Sequence, residues 1–304
     1  MTRHLLTLFD LSGDEINRLL ARARWLKAER LAGRRHLPLA GKALAMIFEK
    51  PSTRTRVSFE VAMYQLGGHA LYLSAEGSQL GRGETYADTA RVLSRMVDGI
   101  MVRTFEQDRI AALAAAATVP VINGLTDLSH PCQILADLVT VMEERGTLEG
   151  CRICYVGDGN NVCNSWIEAA VQLGFTLAVA TPPGFEPAAV LRERIARDGH
   201  RHIMLGDDPR VAVAGSHVVN TDTWVSMGQE GEDLERKRAV FAPFQVNRRL
   251  MQHAAPDAIV LHCLPAHRGE EITDEVMDGP QSRVFDQAEN RLHAQKALLE
   301  MLLG

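Results

Sequence analysis

Three features of the 304-residue sequence predict an α/β fold built from two doubly wound parallel-sheet domains. Short apolar runs of strand length alternate with helically periodic segments. The alternation restarts near mid-chain, and no low-complexity linker or solenoid-length repeat interrupts it. At this length each of two ordinary-sized domains can bury a core.

Taken in order, Ala43 to Phe48 is an apolar strand. Phe59, Ala62, Met63 and Leu66 then fall at i, i+3, i+4 and i+7 before Gly67-Gly68 stops the helical pattern. Ala70 to Leu73, Gly99 to Val102 and Val119 to Asn123 are expected to be short buried strands, separated by helical stretches such as Thr85 to Ser94. His130-Pro131 opens a helix with proline at its first position and Ile134, Leu138, Val141 and Met142 on one face. Gly146 and Gly150 bracket its end, which places the first domain at 1–147.

The second domain, expected at 148–280, begins with strand Arg152 to Val156 and helix Asn164 to Leu173, closed by Gly174. Strand Leu177 to Ala180, helix Pro187 to Arg197 and strands Val218 to Thr221 and Ile259 to Leu264 follow. After Arg283 to Phe285, the helical spacing of Leu292, Lys296, Leu299 and Leu303 predicts a final helix, so that 281–304 is expected to return to the first domain.

Composition narrows the function classes. With 46% hydrophobic residues, 23% charged residues and a net charge of -5, the chain has the make-up of a globular enzyme and lacks the basic excess of a general nucleic-acid binder. No stretch approaches the roughly 20 apolar residues of a membrane helix, and Met1 to Asp10 shows no signal-peptide pattern, so a cytoplasmic location is expected. Five cysteines, an odd count, argue for reduced thiols. Cys151 and Cys154 form a C-x-x-C within an apolar run with no second pair to complete a zinc site, and His200 and His202 find no partner motif. Neither a metal nor a cofactor is expected.

Chemistry begins at Ser52-Thr53-Arg54-Thr55-Arg56, where strand, turn and helix meet. The first N–H groups of a helix lack internal partners and lie at the positive end of its dipole, so an anion held there gains hydrogen bonds and charge complementarity. Arg54 can add a two-pronged grip. The same residues also suit an ordinary capped helix with solvated arginines. Gly157-Asp158-Gly159 after a strand starts a dinucleotide fingerprint, but Val162 and Cys163 occupy the region of its third glycine.

The joint order of Ser52 to Arg56, Gln79, Arg103, His130 with Gln133, Asp222 to Gly228, and His262-Cys263-Leu264-Pro265 is more specific than any one motif. Over essentially its full length the chain resembles the carbamoyltransferases that act on aspartate or ornithine, and its details are most like the ornithine-specific members. The resemblance implies that the first domain binds carbamoyl phosphate and the second the amine acceptor, with the active site in the cleft between them. Ser52, Thr53, Arg54 and Thr55 would hold the phosphate, Arg103 would bridge phosphate and carbonyl oxygens, and His130 and Gln133 would meet the carbamoyl end. Cys263 and Leu264 would line the junction of the two substrates, and Arg291 would add a late donor contact. Gln79 would reach a neighbouring subunit's active site, implying a homotrimer or a higher assembly of trimers. Aspartate-specific members usually carry a lysine in that loop, and none is present here.

On the acceptor side the resemblance gives Asp222, Ser226 and Met227 to the amino acid, and Asn161, in preference to Asn160, to its backbone groups. The implied reaction is attack by the δ-amine of ornithine on carbamoyl phosphate, giving citrulline and phosphate. It would serve arginine biosynthesis, or arginine breakdown in reverse. A carbamoyltransferase for another amine, such as putrescine or a modified ornithine, is the alternative. Arg54, Arg103 and His130 would stabilise developing charge. Asp222, Cys263 or the leaving phosphate would take the proton.

Overall fold

A computed structural model describes residues 2–74, 77, 79–225 and 234–304. Its contacts divide the chain into two compact units, Met1–Val139 with Glu289–Gly304, and Thr140–Ala288.

The first unit holds strands β1 (Ala43–Phe48), β2 (His69–Ser74), β3 (Gly99–Arg103) and β4 (Val121–Leu125). Its helices are α1 (Gly13–Leu31), α2 (Thr53–Gln65), α3 (Tyr86–Leu93) and α4 (Gln107–Ala116). The division between the units falls within helix α5 (Pro131–Arg145) and again within the last helix. The sheet is entirely parallel, in the order β2-β1-β3-β4. One of its faces packs on α3 and α4 through Ile47, Ala90, Ile100, Val102, Ile110 and Leu113.

Helix α2 forms where the apolar spacing predicts it. Phe59, Ala62, Met63 and Leu66 are each fully buried, and each large side chain among them stabilises the unit by about 1.5–3 kcal/mol. Strand β2 departs from expectation: it is not buried, and Leu71 and Tyr72 are exposed, because it lies at the sheet's edge. Helix α1, which has no counterpart in the sequence reading, starts from a reciprocal cap. The Ser12 hydroxyl accepts from Glu15 N–H, and the Glu15 carboxylate accepts from Ser12 N–H.

The second unit holds β5 (Arg152–Val156), β6 (Thr176–Ala180), β7 (Ile203–Gly206), β8 (Val218–Thr221) and β9 (Ile259–His262). Helices α6 (Asn161–Leu173), α7 (Ala189–Asp198), α8 (Pro209–Val213), α9 (Leu234–Phe241), α10 (Arg248–Met251) and α11 (Asp274–Met277) precede the last helix, α12 (Val284–Leu303). This sheet too is parallel, in the order β7-β6-β5-β8-β9.

Two of the boundary shifts from the sequence reading lie beside the second crevice and have local causes. Helix α6 begins at Asn161 rather than Asn164, because the Asn160 side chain accepts from Val162 and Cys163 N–H and caps it there. Strand β9 ends at His262 rather than Leu264, because Leu264 has φ 60, outside any strand conformation. Cys151 and Cys154 are buried free thiols, and burial pushes Cys154 up to about 12. Among the described residues no helix is long and apolar enough to cross a membrane.

Strand order fixes where ligands can sit. In an open parallel sheet, the carboxyl ends of the strands on either side of a reversal in strand order form a crevice. The reversal falls between β1 and β3 in the first sheet and between β5 and β8 in the second.

Candidate functional site

At the first reversal, Phe48 at the end of β1 pairs with Arg103 at the end of β3. The chain then turns so that Ser52 caps α2, its hydroxyl accepting from Thr55 N–H at 3.3 Å. The turn is held from beneath by Glu49, whose carboxylate accepts from Thr104 (2.8 Å), Arg109 (2.7 Å) and the Tyr86 hydroxyl. The next side chain, Lys50, is buried; it pairs with Asp127 at 2.6 Å and lies 4.1 Å over the Phe105 ring. Both anchors leave Thr53 exposed and Arg54 half-buried at the helix start.

Buried polar groups converge behind that start. Arg291 on α12 donates to the Thr55 hydroxyl at 2.7 Å and to Gln133 Oε1 at 2.9 Å, while Gln133 donates to Asp137 at 2.9 Å. All four are buried, and Arg103 and His130 are buried with them. The His130 imidazole is driven well below the ordinary histidine value by its burial, and further by the positive charges of Arg291, Arg103 and Arg54. Thus Ser52, Thr55, Arg54, Arg103, His130, Gln133 and Arg291 belong to one cationic cluster with a neutral imidazole. An oxyanion of high charge density suits it, because three guanidiniums held together repel one another until an anion intervenes. Gln79 is not drawn into this cluster; it is exposed, and its carbonyl accepts from Arg82 and Glu84 N–H in its own turn.

At the second reversal, Val156 pairs with Thr221, and each is followed by a residue of interest. Beyond β8 lies Asp222, only 6% exposed, whose carboxylate accepts from Cys263 Sγ at 2.8 Å and from Asn160 Nδ2 at 2.8 Å. Asn160 also accepts from the Tyr155 hydroxyl at 3.2 Å, so it is engaged on both sides of its amide. Burial and the neighbouring Asp222 charge push the Tyr155 phenol well above its usual value, which keeps it a neutral donor. Asn161 is the first residue of α6 and is half-buried. Gly157, at φ 138, and Gly159 shape this turn. A side chain at Gly159 would lie 2.4 Å from the Glu186 backbone, so its glycine serves a close chain approach. Ser226, Met227 and Gly228 lie outside the described residues.

Cys263 and Leu264 follow β9, in the same unit as Asp222 rather than with the phosphate-side cluster. Their turn is fixed by His262, which accepts from Leu264 N–H at Nδ1 (2.9 Å) and meets Glu271 at Nε2 (3.0 Å). His262 and Glu271 are both fully buried. Sequence reasoning missed Glu271, and also missed Glu49. Only their placement inside apolar or motif-bearing runs could have drawn notice to them.

Known proteins match the two halves of the chain in turn. Residues 3–143 match the carbamoyl-phosphate-binding domain model of aspartate/ornithine carbamoyltransferases, and residues 149–302 match the aspartate/ornithine-binding domain model. An ornithine carbamoyltransferase of Pelobacter propionicus is 57% identical over 304 residues, covering 100% of this chain and 99% of that protein. An anabolic ornithine carbamoyltransferase of Pyrococcus furiosus is 55% identical, covering 99% of this chain and 96% of that protein. The solved ornithine carbamoyltransferase structure from Pyrococcus furiosus superposes with a TM-score of 0.94 at 55% identity, covering 99% of this chain and 97% of that one. That from Thermus thermophilus gives 0.90 at 45% identity, with 100% of both chains covered.

Proposed function

The chain belongs to the aspartate/ornithine carbamoyltransferase family, and from that premise we propose that it transfers the carbamoyl group of carbamoyl phosphate to the δ-amine of L-ornithine, giving L-citrulline and phosphate. The observation that carries the choice of acceptor is the buried Asp222 carboxylate, oriented by Cys263 and Asn160. A carboxylate so placed accepts a hydrogen bond from a side-chain amine and repels the second carboxylate of aspartate.

On the donor side, the start of α2 with Ser52, Thr53, Arg54 and Thr55 receives the phosphate, and Arg103, His130, Gln133 and Arg291 meet the carbamoyl end. Attack on the carbonyl forms a C–N bond and places negative charge on the carbonyl oxygen. Arg103, the Thr55 hydroxyl and the neutral His130 then stabilise that charge as donors. Collapse breaks the C–O bond to phosphate, and the cationic cluster holds the departing dianion.

The attacking amine must first lose a proton. With a reference value near 10.4, only a few parts in ten thousand of a free alkyl amine are neutral at pH 7. Cys263 and Asp222 form one linked pair beside the acceptor, and with the leaving phosphate they are the groups able to take that proton. Asn161, Ser226 and Met227 are assigned to the amino-acid head group, Leu264 to the substrate junction, and Gln79 to a neighbouring subunit in a cytoplasmic homotrimer.

The test is a colorimetric citrulline assay with carbamoyl phosphate and a panel of ornithine, putrescine, aspartate and acetylornithine. Product from ornithine well above the other three is expected; a preference for any other amine overturns the assignment.

A further inference from the structure

A second cationic pocket lies on the first unit, built from parts of the fold that the transfer reaction does not use. It is a cavity of about 380 Å³ bounded by the end of α1, the segment after it, the end of α2, and α12. Arg30, Arg34, Arg35 and Lys296 line it, against a single acidic lining residue, Glu29. Glu29 is already committed to Arg34 through two hydrogen bonds. Among the described residues, Arg30 and Arg35 form no ion pair.

Lys296 is the unusual member. It is only 4% exposed, and its hydrogen-bond partner is the neutral Gln65 Oε1 at 3.2 Å. The nearby carboxylate, Glu300, is engaged by Arg22 at 2.6 and 2.8 Å and by His36 at 2.7 Å. A buried ammonium without a counter-charge of its own is costly. Here desolvation lowers the Lys296 value, and the positive charge of Arg30 lowers it further. The carbonyl end of α2 accounts for one cation at this place. It does not account for Arg30 and Arg35 opening into the same cavity.

We propose that this pocket binds a small, multiply charged oxyanion, with Lys296 at its base and Arg30 and Arg35 at its mouth. The volume falls within the range of small-molecule sites, and guanidiniums suit carboxylate or phosphate oxygens equally. The proposal does not depend on the transfer chemistry, because none of these residues belongs to either substrate cluster.

The experiment is isothermal titration of the full-length protein with citrate and, separately, with glycerol 3-phosphate. Arg54→Ala weakens the phosphate-side cluster as a competing anion site. Arg30→Ala/Arg35→Ala leaves turnover within about twofold, and it weakens the binding that persists in Arg54→Ala by about tenfold or more, as expected for losing charge-assisted hydrogen bonds. Arg35→Glu alone acts in the same direction. Whichever anion binds more tightly identifies the source as carboxylate or phosphate ester. The proposal is overturned if Arg54→Ala abolishes all anion binding, or if both pocket variants titrate like the parent protein.

Discussion

Arg291 and Thr55 stand 236 residues apart in sequence, yet the guanidinium donates to the Thr55 hydroxyl at 2.7 Å in a buried site. The last helix thereby fixes the first turn of α2, the turn that presents the Ser-Thr-Arg-Thr-Arg segment. A double-mutant cycle with Thr55→Val and Arg291→Met, followed by chemical denaturation, is expected to show a favourable coupling of about 1.5–3 kcal/mol, typical of a hydrogen bond to a charged group. A coupling near zero would mean that the two residues are neighbours without being partners.

Arg54 and Arg103 are expected to act on the reaction more than on folding. Removing one donor to a developing oxyanion commonly costs about 3–4 kcal/mol. Arg54→Ala and Arg103→Ala should each lose several hundredfold or more in kcat, while thermal denaturation moves little. Near-normal turnover in both variants sinks the assignment of this cluster to carbamoyl phosphate.

Some of this was legible in the sequence because it is local. Ser52 is a good cap, Phe59 to Leu66 repeat at helical spacing, and Gly67 ends the pattern, so β1 and α2 could be placed from their own residues. The same logic could have found α1, since Ser12 and Glu15 stand at capping-box spacing. Asn160 misled the start of α6, because an asparagine pair after two glycines suits a turn and a cap equally well. Other features are set by tertiary structure and leave no local trace. Nothing in Ala70 to Leu73 says that β2 lies at an edge, and nothing near Glu271 says that it meets His262. The strand order that brings Phe48 beside Arg103, and Val156 beside Thr221, arises from crossovers invisible to periodicity.

The pH dependence of stability should carry a mark of His130. Its folded-state value lies well below the ordinary 6.5, first through burial and then through Arg291, Arg103 and Arg54. The folded protein therefore binds fewer protons at this residue than the unfolded chain does. Its contribution is complete above about pH 6.5 and is lost as pH falls below that, with a limiting slope of about 1.4 kcal/mol per pH unit. Denaturation of His130→Gln between pH 5 and 7 is expected to show a flatter dependence than the parent protein; parallel curves would mean that the imidazole is not held neutral.

Asp222 and Cys263 make a different kind of prediction, because their link joins a carboxylate to its donor. Cys263→Ser keeps a donor where Cys263→Ala has none, so the serine variant should be about tenfold or more as active as the alanine variant. Asp222→Asn should raise the KM for ornithine by a similar factor, with the KM for carbamoyl phosphate nearly unchanged. In the parent protein the apparent affinity for ornithine is expected to improve above pH 7 as more of the amine is neutral, and a flat profile would place proton removal after binding. Equal losses in the serine and alanine variants would reduce Cys263 to a packing role.

Glu271 tests whether the turn carrying Cys263 and Leu264 must be rigid. Its carboxylate is fully buried and meets His262 Nε2 at 3.0 Å, while the other ring nitrogen of His262 accepts from Leu264 N–H at 2.9 Å. The same carboxylate accepts from His267 N–H at 2.6 Å, so one side chain closes both ends of the segment between β9 and the residues beyond it. Glu271→Ala leaves the buried His262 donor without an acceptor, a loss of about 1–3 kcal/mol, and frees the part-buried His267 N–H. Glu271→Gln retains one carbonyl oxygen with nearly the same shape, and it can still accept from His262. If the pair positions Cys263, the glutamine variant should recover most of the turnover lost by the alanine variant, with kcat moving more than either KM. If the pair serves folding alone, both variants should lose stability while the surviving folded enzyme keeps its kcat, a distinction that active-site titration alongside calorimetry reads directly.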